Sequence, residues 1–101
     1  MPEFEITEER TGSKGRYVAA APGKPEAELT YSVANPQLVI IDHTGVPDDW
    51  RGMGVGKALV ERAVSDARAR GVRIVPLCPF AKAQIEKHPE WQDVLGGSPN
   101  A

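Results

Sequence analysis

The sequence predicts an α+β domain in which a mixed, mostly antiparallel five-stranded sheet packs against one long helix and one short C-terminal helix. Three observations support this prediction. Apolar and polar residues alternate in the first half of the chain, as they do in strands buried on one face. From residue 54 the apolar residues recur every three or four positions, which is the period of a helix. A short apolar run follows, and a helical crossover makes the strands on either side of it parallel.

The first half of the chain reads as four strands joined by turns rich in Gly and Pro. These strands are expected near residues 4–7, 16–20, 27–34 and 37–44. The third has the clearest alternation, with Leu29, Tyr31 and Val33 on one face. The fourth contains the unbroken apolar run Leu38–Ile41, which is typical of a central strand covered on both faces.

The second half reads as a helix, a strand and a second helix. Residues 54–70 place Val55, Leu59, Ala63 and Ala67 on one helical face, and Gly71 is suited to the C-terminal cap. Residues 72–77 are the fifth strand. Pro79 suits the first turn of a short helix that ends near residue 87, ahead of Pro89.

Composition and charge limit the possible functions. A chain of 101 residues suits a single domain, expected here over residues 1–95 with a flexible tail at 96–101. Its 41% hydrophobic and 26% charged residues are ordinary globular values. A net charge of −2 without a basic tract argues against nucleic-acid binding. One cysteine, no membrane-spanning apolar run and no basic, apolar N-terminal segment predict a cytoplasmic protein.

The segment from Arg51 to Lys57 carries three glycines at alternate positions, directly ahead of the long helix. Glycine permits tight curvature and lets backbone N–H groups approach a ligand. The start of the helix adds further free N–H groups and the positive end of the helix dipole. Such a site binds phosphate, and the two cationic side chains add positive charge.

Two familiar phosphate motifs fit this segment poorly. A Walker A loop has Ser or Thr after Gly-Lys, where this chain has Ala58. A dinucleotide fingerprint counted from Gly52 finds its third glycine one residue early, and the doubly wound sheet that it needs is too large for this chain. The spacing that fits is Q/R-x-x-G-x-G/A, which is met by Arg51, Gly54 and Gly56.

This spacing resembles the coenzyme A pyrophosphate loop of the GNAT acetyltransferase superfamily. The flanking segments extend the resemblance: His-Thr-Gly-Val-Pro at 43–47, Val-Pro-Leu-Cys-Pro-Phe at 75–80 and His-Pro-Glu-Trp at 88–91. Together they resemble the short, single-domain GNAT-like proteins that carry a cysteine after the fifth strand. The similarity spans residues 4–95 and implies a minimal GNAT-like fold.

The resemblance implies which residues bind acetyl-CoA. The pyrophosphate would lie against the backbone N–H groups of residues 53–57, in a loop made of Arg51, Gly52, Met53, Gly54, Val55, Gly56 and Lys57. The strand ahead of the loop would bind the pantetheine arm and the acetyl carbonyl at His43, Thr44 and Val46, and would splay from the next strand to admit the thioester. Backbone donors there would stabilise the oxyanion that forms when an amine attacks.

Cys78 and His43 are the candidate catalytic residues. Cys78 precedes a helix N-terminus, a position that lowers the pKa of a thiol. Larger GNAT enzymes resemble N-x-x-A-x-x-x-Y here, but the matching positions are Cys78, Ala81 and Ile85, so the usual general acid is not carried over. His43 could act as a base or simply bond a neighbouring backbone group. One cysteine and two histidines do not reach metal-ligand spacing, so no metal is expected.

Three catalytic routes remain open. In the first, the amine attacks the thioester directly and the CoA thiolate takes a proton from water or Cys78. In the second, Cys78 acts as an acid or base in that transfer. In the third, Cys78 takes the acetyl group first, in a ping-pong route. A buried cysteine that serves only as a small hydrophobe is the structural alternative.

The predicted function is that of an acetyl-CoA-dependent N-acetyltransferase acting on a primary amine of a protein or a small amine. The chain lacks the helices that wall the acceptor site in larger relatives, so an open acceptor groove is expected. The alternatives are a CoA- or acyl-CoA-binding module with little or no transferase activity, and a small nucleotide-phosphate binder. No nucleic-acid or membrane partner is expected, and the chain is expected to be a monomer or a weak homodimer.

Overall fold

A computed structural model describes residues 4–96. Its first half is an antiparallel meander, as predicted, whose strands are β1 (Glu5–Thr11), β2 (Lys14–Ala20), β3 (Ala27–Asn35) and β4 (Leu38–Gly45). The turn from β1 to β2 is tighter than predicted, because Thr11 already pairs with Lys14. Gly12, at φ 63°, takes the left-handed conformation that this tight turn requires.

The second half places a helix between β4 and a parallel fifth strand. Its elements are a 3-10 helix (Asp48–Trp50), α1 (Val55–Arg70), β5 (Arg73–Pro76), α2 (Pro79–Lys87) and a second 3-10 helix (Pro89–Val94). The five strands lie in sequence order across one sheet, with β4 and β5 parallel. The predicted mixed, mostly antiparallel sheet and both predicted helices are therefore confirmed, whereas the 3-10 helices were not predicted.

Local signals explain where α1 and α2 begin and end. Gly54 and Gly71 cap the two ends of α1 in the left-handed conformation, at φ 68° and 71°. The N–H of Gly71 donates back to the carbonyls of Ala67 and Arg68, which satisfies two groups at the helix end. Pro79 takes the first position of α2, where its missing N–H costs nothing.

One hydrophobic core lies between the sheet and both helices. Leu29 and Ile41 from the sheet, Leu59 from α1 and Ile85 from α2 each have none of their surface exposed. Burial of one such side chain stabilises the fold by about 1.5–3 kcal/mol. On the other face the strands present polar side chains, which include Arg16, Glu28, Thr30, Ser32 and Asp42.

The expectation that β4 is covered on both faces is wrong. Ile41 is buried, but the other three residues of the apolar run, Leu38–Ile40, are only half-buried. Both helices pack on one side of the sheet, so the other side of β4 is covered only in part, by Gly96 against Leu38 and Val75. The N–H of Gly96 donates to the carbonyl of Ile74 at 2.7 Å. Residues 97–101 of the predicted tail lie outside the described residues.

Candidate functional site

The glycine loop bends sharply just ahead of α1. Gly52 and Gly54 have φ angles of 82° and 68°, which disfavour any residue with a Cβ. Open space surrounds both positions, so the backbone angle and not crowding is what requires glycine there. The loop is anchored from behind, because the N–H of Arg51 donates to Asp48 at 2.9 Å and that of Met53 to Trp50 at 3.1 Å.

Free backbone donors converge at the start of α1. Within residues 4–96, the N–H groups of residues 54–57 have no hydrogen-bond acceptor, and the helical pattern begins with Ala58 donating to Gly54 at 3.0 Å. Because the N–H of Met53 donates to Trp50, it does not join this set, and the donors available to an anion are fewer than the predicted 53–57. The helix is 16 residues long, and its dipole places partial positive charge here.

The remaining residues of the loop have different environments. The side chain of Val55 is buried in the core, so only its backbone can face a ligand. Gly56 is buried beneath Phe80, whose ring would lie 2.6 Å from an added Cβ. Lys57 is exposed, and Arg51 is 82% exposed with only a loose ion pair to Asp48 at 3.6 Å. Both cationic side chains are therefore free to reach a phosphate.

Strands β4 and β5 separate beside the loop. Their ladder ends at the pair Ile41 and Pro76, although β4 continues to Gly45. The carbonyl of Ile41 accepts from the N–H groups of both Leu77 and Cys78, at 3.1 and 3.3 Å. Beyond this point β4 pairs only with β3, which leaves a gap next to Thr44 and Val46.

A β-bulge at Asp42 decides which side chains face the gap. Thr30 pairs with His43 while Tyr31 pairs with Ile41, so Asp42 is the extra residue on β4. The bulge places Thr44 on the helix side of the sheet. The exposed ring of His43 lies on the opposite face beside Gly45, 3.4 Å from where a Cβ would stand. The structure therefore brings Thr44 to Cys78 and does not bring His43 to it.

Cys78 is buried, with 6% of its surface exposed, at the N-cap position of α2. Its Sγ lies 3.4 Å from the Thr44 hydroxyl oxygen. Burial alone raises the pKa of this thiol, but the hydrogen bond with Thr44 and the backbone N–H groups of Ala81, Phe80 and Thr44 outweigh burial and lower it. Within residues 4–96, Sγ makes no side-chain capping hydrogen bond to α2, and its side-chain hydrogen bond is the one with Thr44.

Two apolar residues beside the gap were not predicted as site residues. The exposed large hydrophobic side chains in the described part of the chain are Val46, Leu77 and Phe80, at 39%, 65% and 40%. One follows β4, one follows β5 and the third lies in the first turn of α2, so all three flank the gap. The sequence signal for Leu77 and Phe80 was their position on either side of Cys78.

Comparison with known proteins assigns the fold to a family. A sequence profile described as GCN5-related N-acetyl-transferase matches residues 16–94. The chain belongs to the GCN5-related N-acetyltransferase (GNAT) family. The solution structure of a GCN5-like candidate N-acetyltransferase from Staphylococcus aureus is similar, with a TM-score of 0.71 and 35% sequence identity. The match covers 97% of this chain and 93% of that one, which confirms the minimal GNAT-like fold. No curated protein sequence matches the chain.

The described part of the chain has neither a membrane-spanning helix nor a cluster of metal ligands. None of its helices combines the length and the apolarity needed to cross a bilayer. Between residues 4 and 96, no three His, Cys, Asp or Glu side chains group closely enough to hold a metal ion.

Proposed function

We propose that this chain transfers an acetyl group from acetyl-CoA to a primary amine of a protein or a small amine. The observation that carries the proposal is the placement of Cys78 at the gap between β4 and β5, beside a glycine loop with free N–H groups. GNAT membership supports acetyl transfer, and these features support donor binding at the loop and reaction at Cys78. We infer a cytoplasmic location, in which a single cysteine stays reduced.

The residues present fit acetyl-CoA as the donor substrate. Its diphosphate would accept hydrogen bonds from the N–H groups of residues 54–57, with Arg51 and Lys57 adding charge. Its pantetheine arm would follow the part of β4 that β5 leaves unpaired, at Thr44 and Val46. Val46, Phe80 and Leu77 offer exposed apolar surface for the arm's alkyl groups.

Of the three routes, the lowered pKa of Cys78 favours the ping-pong one, because the thiolate is the nucleophilic form. The Cys78 sulfur attacks the acetyl carbonyl, an S–C bond forms, and CoA leaves as a thiolate that takes a proton from solvent. An unprotonated amine then attacks the acetyl-cysteine. The new N–C bond replaces the S–C bond, the proton of the amine passes to solvent, and Cys78 returns as a thiolate.

The sheet face opposite the helices supports an exposed amine as the acceptor. Within residues 4–96, neither α1 nor α2 covers the sheet face that carries Thr30 and His43. An open face admits an amine on a protein surface or a polyamine without an enclosing pocket. His43 is exposed on that face and does not meet Cys78, so it is a candidate base only for the route in which the amine attacks the thioester directly.

A CoA-binding module without transferase activity is the second candidate. Ile85, which stands where larger family members carry the tyrosine acid, has none of its surface exposed and lies in the core. No acid can act on the leaving thiolate from that position. Such a module would bind acetyl-CoA and CoA equally well at the same loop and gap.

Intact-mass measurement after incubation with acetyl-CoA separates these functions. The wild type should gain one acetyl group that hydroxylamine removes, and Cys78→Ala should gain none. Addition of an amine panel should then discharge the thioester and release acetylated amine. If the wild type never gains an acetyl group and no amine is acetylated, the chain is a binding module and not a transferase. Thermal shifts with CoA, acetyl-CoA and ATP identify the third alternative, because a nucleotide-phosphate binder would respond equally to ATP.

A further inference from the structure

In the described part of the chain, a single side-chain hydrogen bond crosses the gap between β4 and β5. Within residues 4–96, the backbone ladder and its extension end at the carbonyl of Ile41. Three residues further along β4, the Thr44 hydroxyl oxygen lies 3.4 Å from the Cys78 sulfur. Thr44 is half-buried and Cys78 is buried, so water competes little with this bond.

The strand geometry allows Thr44 and no other polar side chain of β4 to make this contact. The bulge at Asp42 turns Thr44 towards the helices and turns His43 away. The carboxylate of Asp42 is occupied with the Ser32 hydroxyl on the far face, at 2.6 Å. No charged side chain is among the leading causes of the changed acidity of Cys78, which are burial and hydrogen bonds.

We propose that Thr44 is the positioning residue for Cys78, holding its sulfur at the gap and donating a hydrogen bond to the thiolate. This role differs from donor binding, which is the role that the family resemblance implies for Thr44. The inference rests on the proposed function only in that Cys78 is the nucleophile there. The hydrogen bond itself exists without any substrate.

A hydroxyl can serve both protonation states of the sulfur. The neutral S–H donates to the Thr44 oxygen, and this oxygen has lone pairs to accept it. When the thiol loses its proton to solvent, rotation about the C–O bond turns the hydroxyl hydrogen towards the sulfur. Hydrogen bonds to ions are stronger than neutral ones, so the contact stabilises the thiolate more than the thiol.

The test is a pH titration of thiolate absorbance at 240 nm in the protein without acetyl-CoA. Cys78 is the chain's single cysteine, so subtraction of the Cys78→Ala signal removes the tyrosine contribution. Thr44→Val keeps the shape of the side chain and removes the hydroxyl. We expect its midpoint about one pH unit above that of the wild type, which is about a tenfold change in the thiol–thiolate equilibrium. Thr44→Ser, which restores the hydroxyl, should titrate near the wild type.

Thr30→Val is the matched control, because the Thr30 hydroxyl contacts the His43 carbonyl at 3.4 Å on the opposite face. Its midpoint should stay at the wild-type value. If Thr44→Val disturbs the circular dichroism spectrum, Thr44→Ala is the second hydroxyl-free variant and should show the same rise. A wild-type midpoint in a folded hydroxyl-free variant, or a Thr44→Ser midpoint as high as that of Thr44→Val, overturns the inference. A raised midpoint in a protein that acetyl-CoA never acetylates supports the inference while the ping-pong route fails.

Discussion

At the scale of single residues, the glycines of the loop meet two different requirements. The positive φ angles of Gly52 and Gly54 require glycine at these positions. Crowding does not, since nothing lies within 4 Å of an added Cβ. Gly56 is needed for close packing, because the Phe80 ring fills the place of its Cβ. The sequence predicts that glycine matters at all three positions, but it cannot distinguish the two causes, since Phe80 is distant along the chain.

Replacement of Gly54 by alanine should weaken both the fold and the site. A Cβ at φ 68° costs about 1–2 kcal/mol of unfolding free energy. If the loop relaxes, its N–H groups no longer converge, and the affinity for acetyl-CoA should fall roughly tenfold. Urea unfolding and titration calorimetry measure the two effects.

Gly23→Ala is the matched control, because Gly23 has φ 77°, equally open surroundings and a place in the turn between β2 and β3. It should lose similar stability and keep its affinity for acetyl-CoA. Equal affinities for acetyl-CoA in the two variants would show that the glycine loop does not bind the donor.

At the scale of elements, the periodic segments were predictable and their irregularities were not. The helix expected over residues 54–70 begins one residue later and ends at Arg70, because its apolar period and Gly71 are local signals. The bulge at Asp42 has no such signal: it depends on how β3 and β4 pair, and it decides that Thr44 rather than His43 meets Cys78. For the same reason, the contact between Thr44 and Cys78 could not be predicted from their spacing in the sequence.

An ion pair joins β1 to the C-terminal end of α1. The carboxylate of Glu8 accepts hydrogen bonds from two guanidinium nitrogens of Arg70, at 2.9 and 3.2 Å, and from the Tyr31 hydroxyl. The bond with Arg70, helped by that of Tyr31 and opposed by burial, lowers the pKa of Glu8 from 4.5 to about 2.

This low pKa predicts acid sensitivity. Because protonation of Glu8 is easier in the unfolded chain, its contribution is complete above pH 4.5 and is lost as the pH falls towards 2. Arg70 is half-exposed, so solvent screening keeps the contribution below about 3 kcal/mol. Glu8→Gln should lower the unfolding free energy at pH 7 and flatten its pH dependence between 4.5 and 2.

Chemical unfolding at several pH values measures this effect. Glu9→Gln is the neighbouring control, since Glu9 pairs with Arg16 on the exposed face, where solvent screening leaves an ion pair little effect on stability. A Glu8→Gln curve that keeps the wild-type slope below pH 4.5 would contradict the assignment.

At the scale of the whole molecule, both tryptophans lie in one core. Trp50 is 1% exposed in the connection from β4 to α1, and Trp91 is 5% exposed near the C-terminal end. The indole N–H of Trp50 also donates to the carbonyl of Pro25 at 2.7 Å, which ties the loop region to the start of β3. Such a core should unfold in one step, as small domains do.

The single-tryptophan variants Trp50→Phe and Trp91→Phe test this prediction from two separate places. In each variant, the fluorescence of the remaining indole and the circular dichroism at 222 nm should give one coincident transition. Midpoints that differ between the two signals in either variant would show that the chain does not unfold as a single domain.

The extra residue on β4 has a consequence for variation and engineering at this point. Asp42 and His43 together fill one outward position of β4, so Ile41 and Thr44 both face the helices. Deletion of Asp42 would remove the bulge and leave regular alternation, with Thr44 still on the helix side and His43 still on the other. Deletion of both residues would make Thr44 the direct successor of Ile41 and turn its hydroxyl away from the sulfur. Loss of one residue at this point should therefore be tolerated by the thiol site, whereas loss of two should remove its hydroxyl partner.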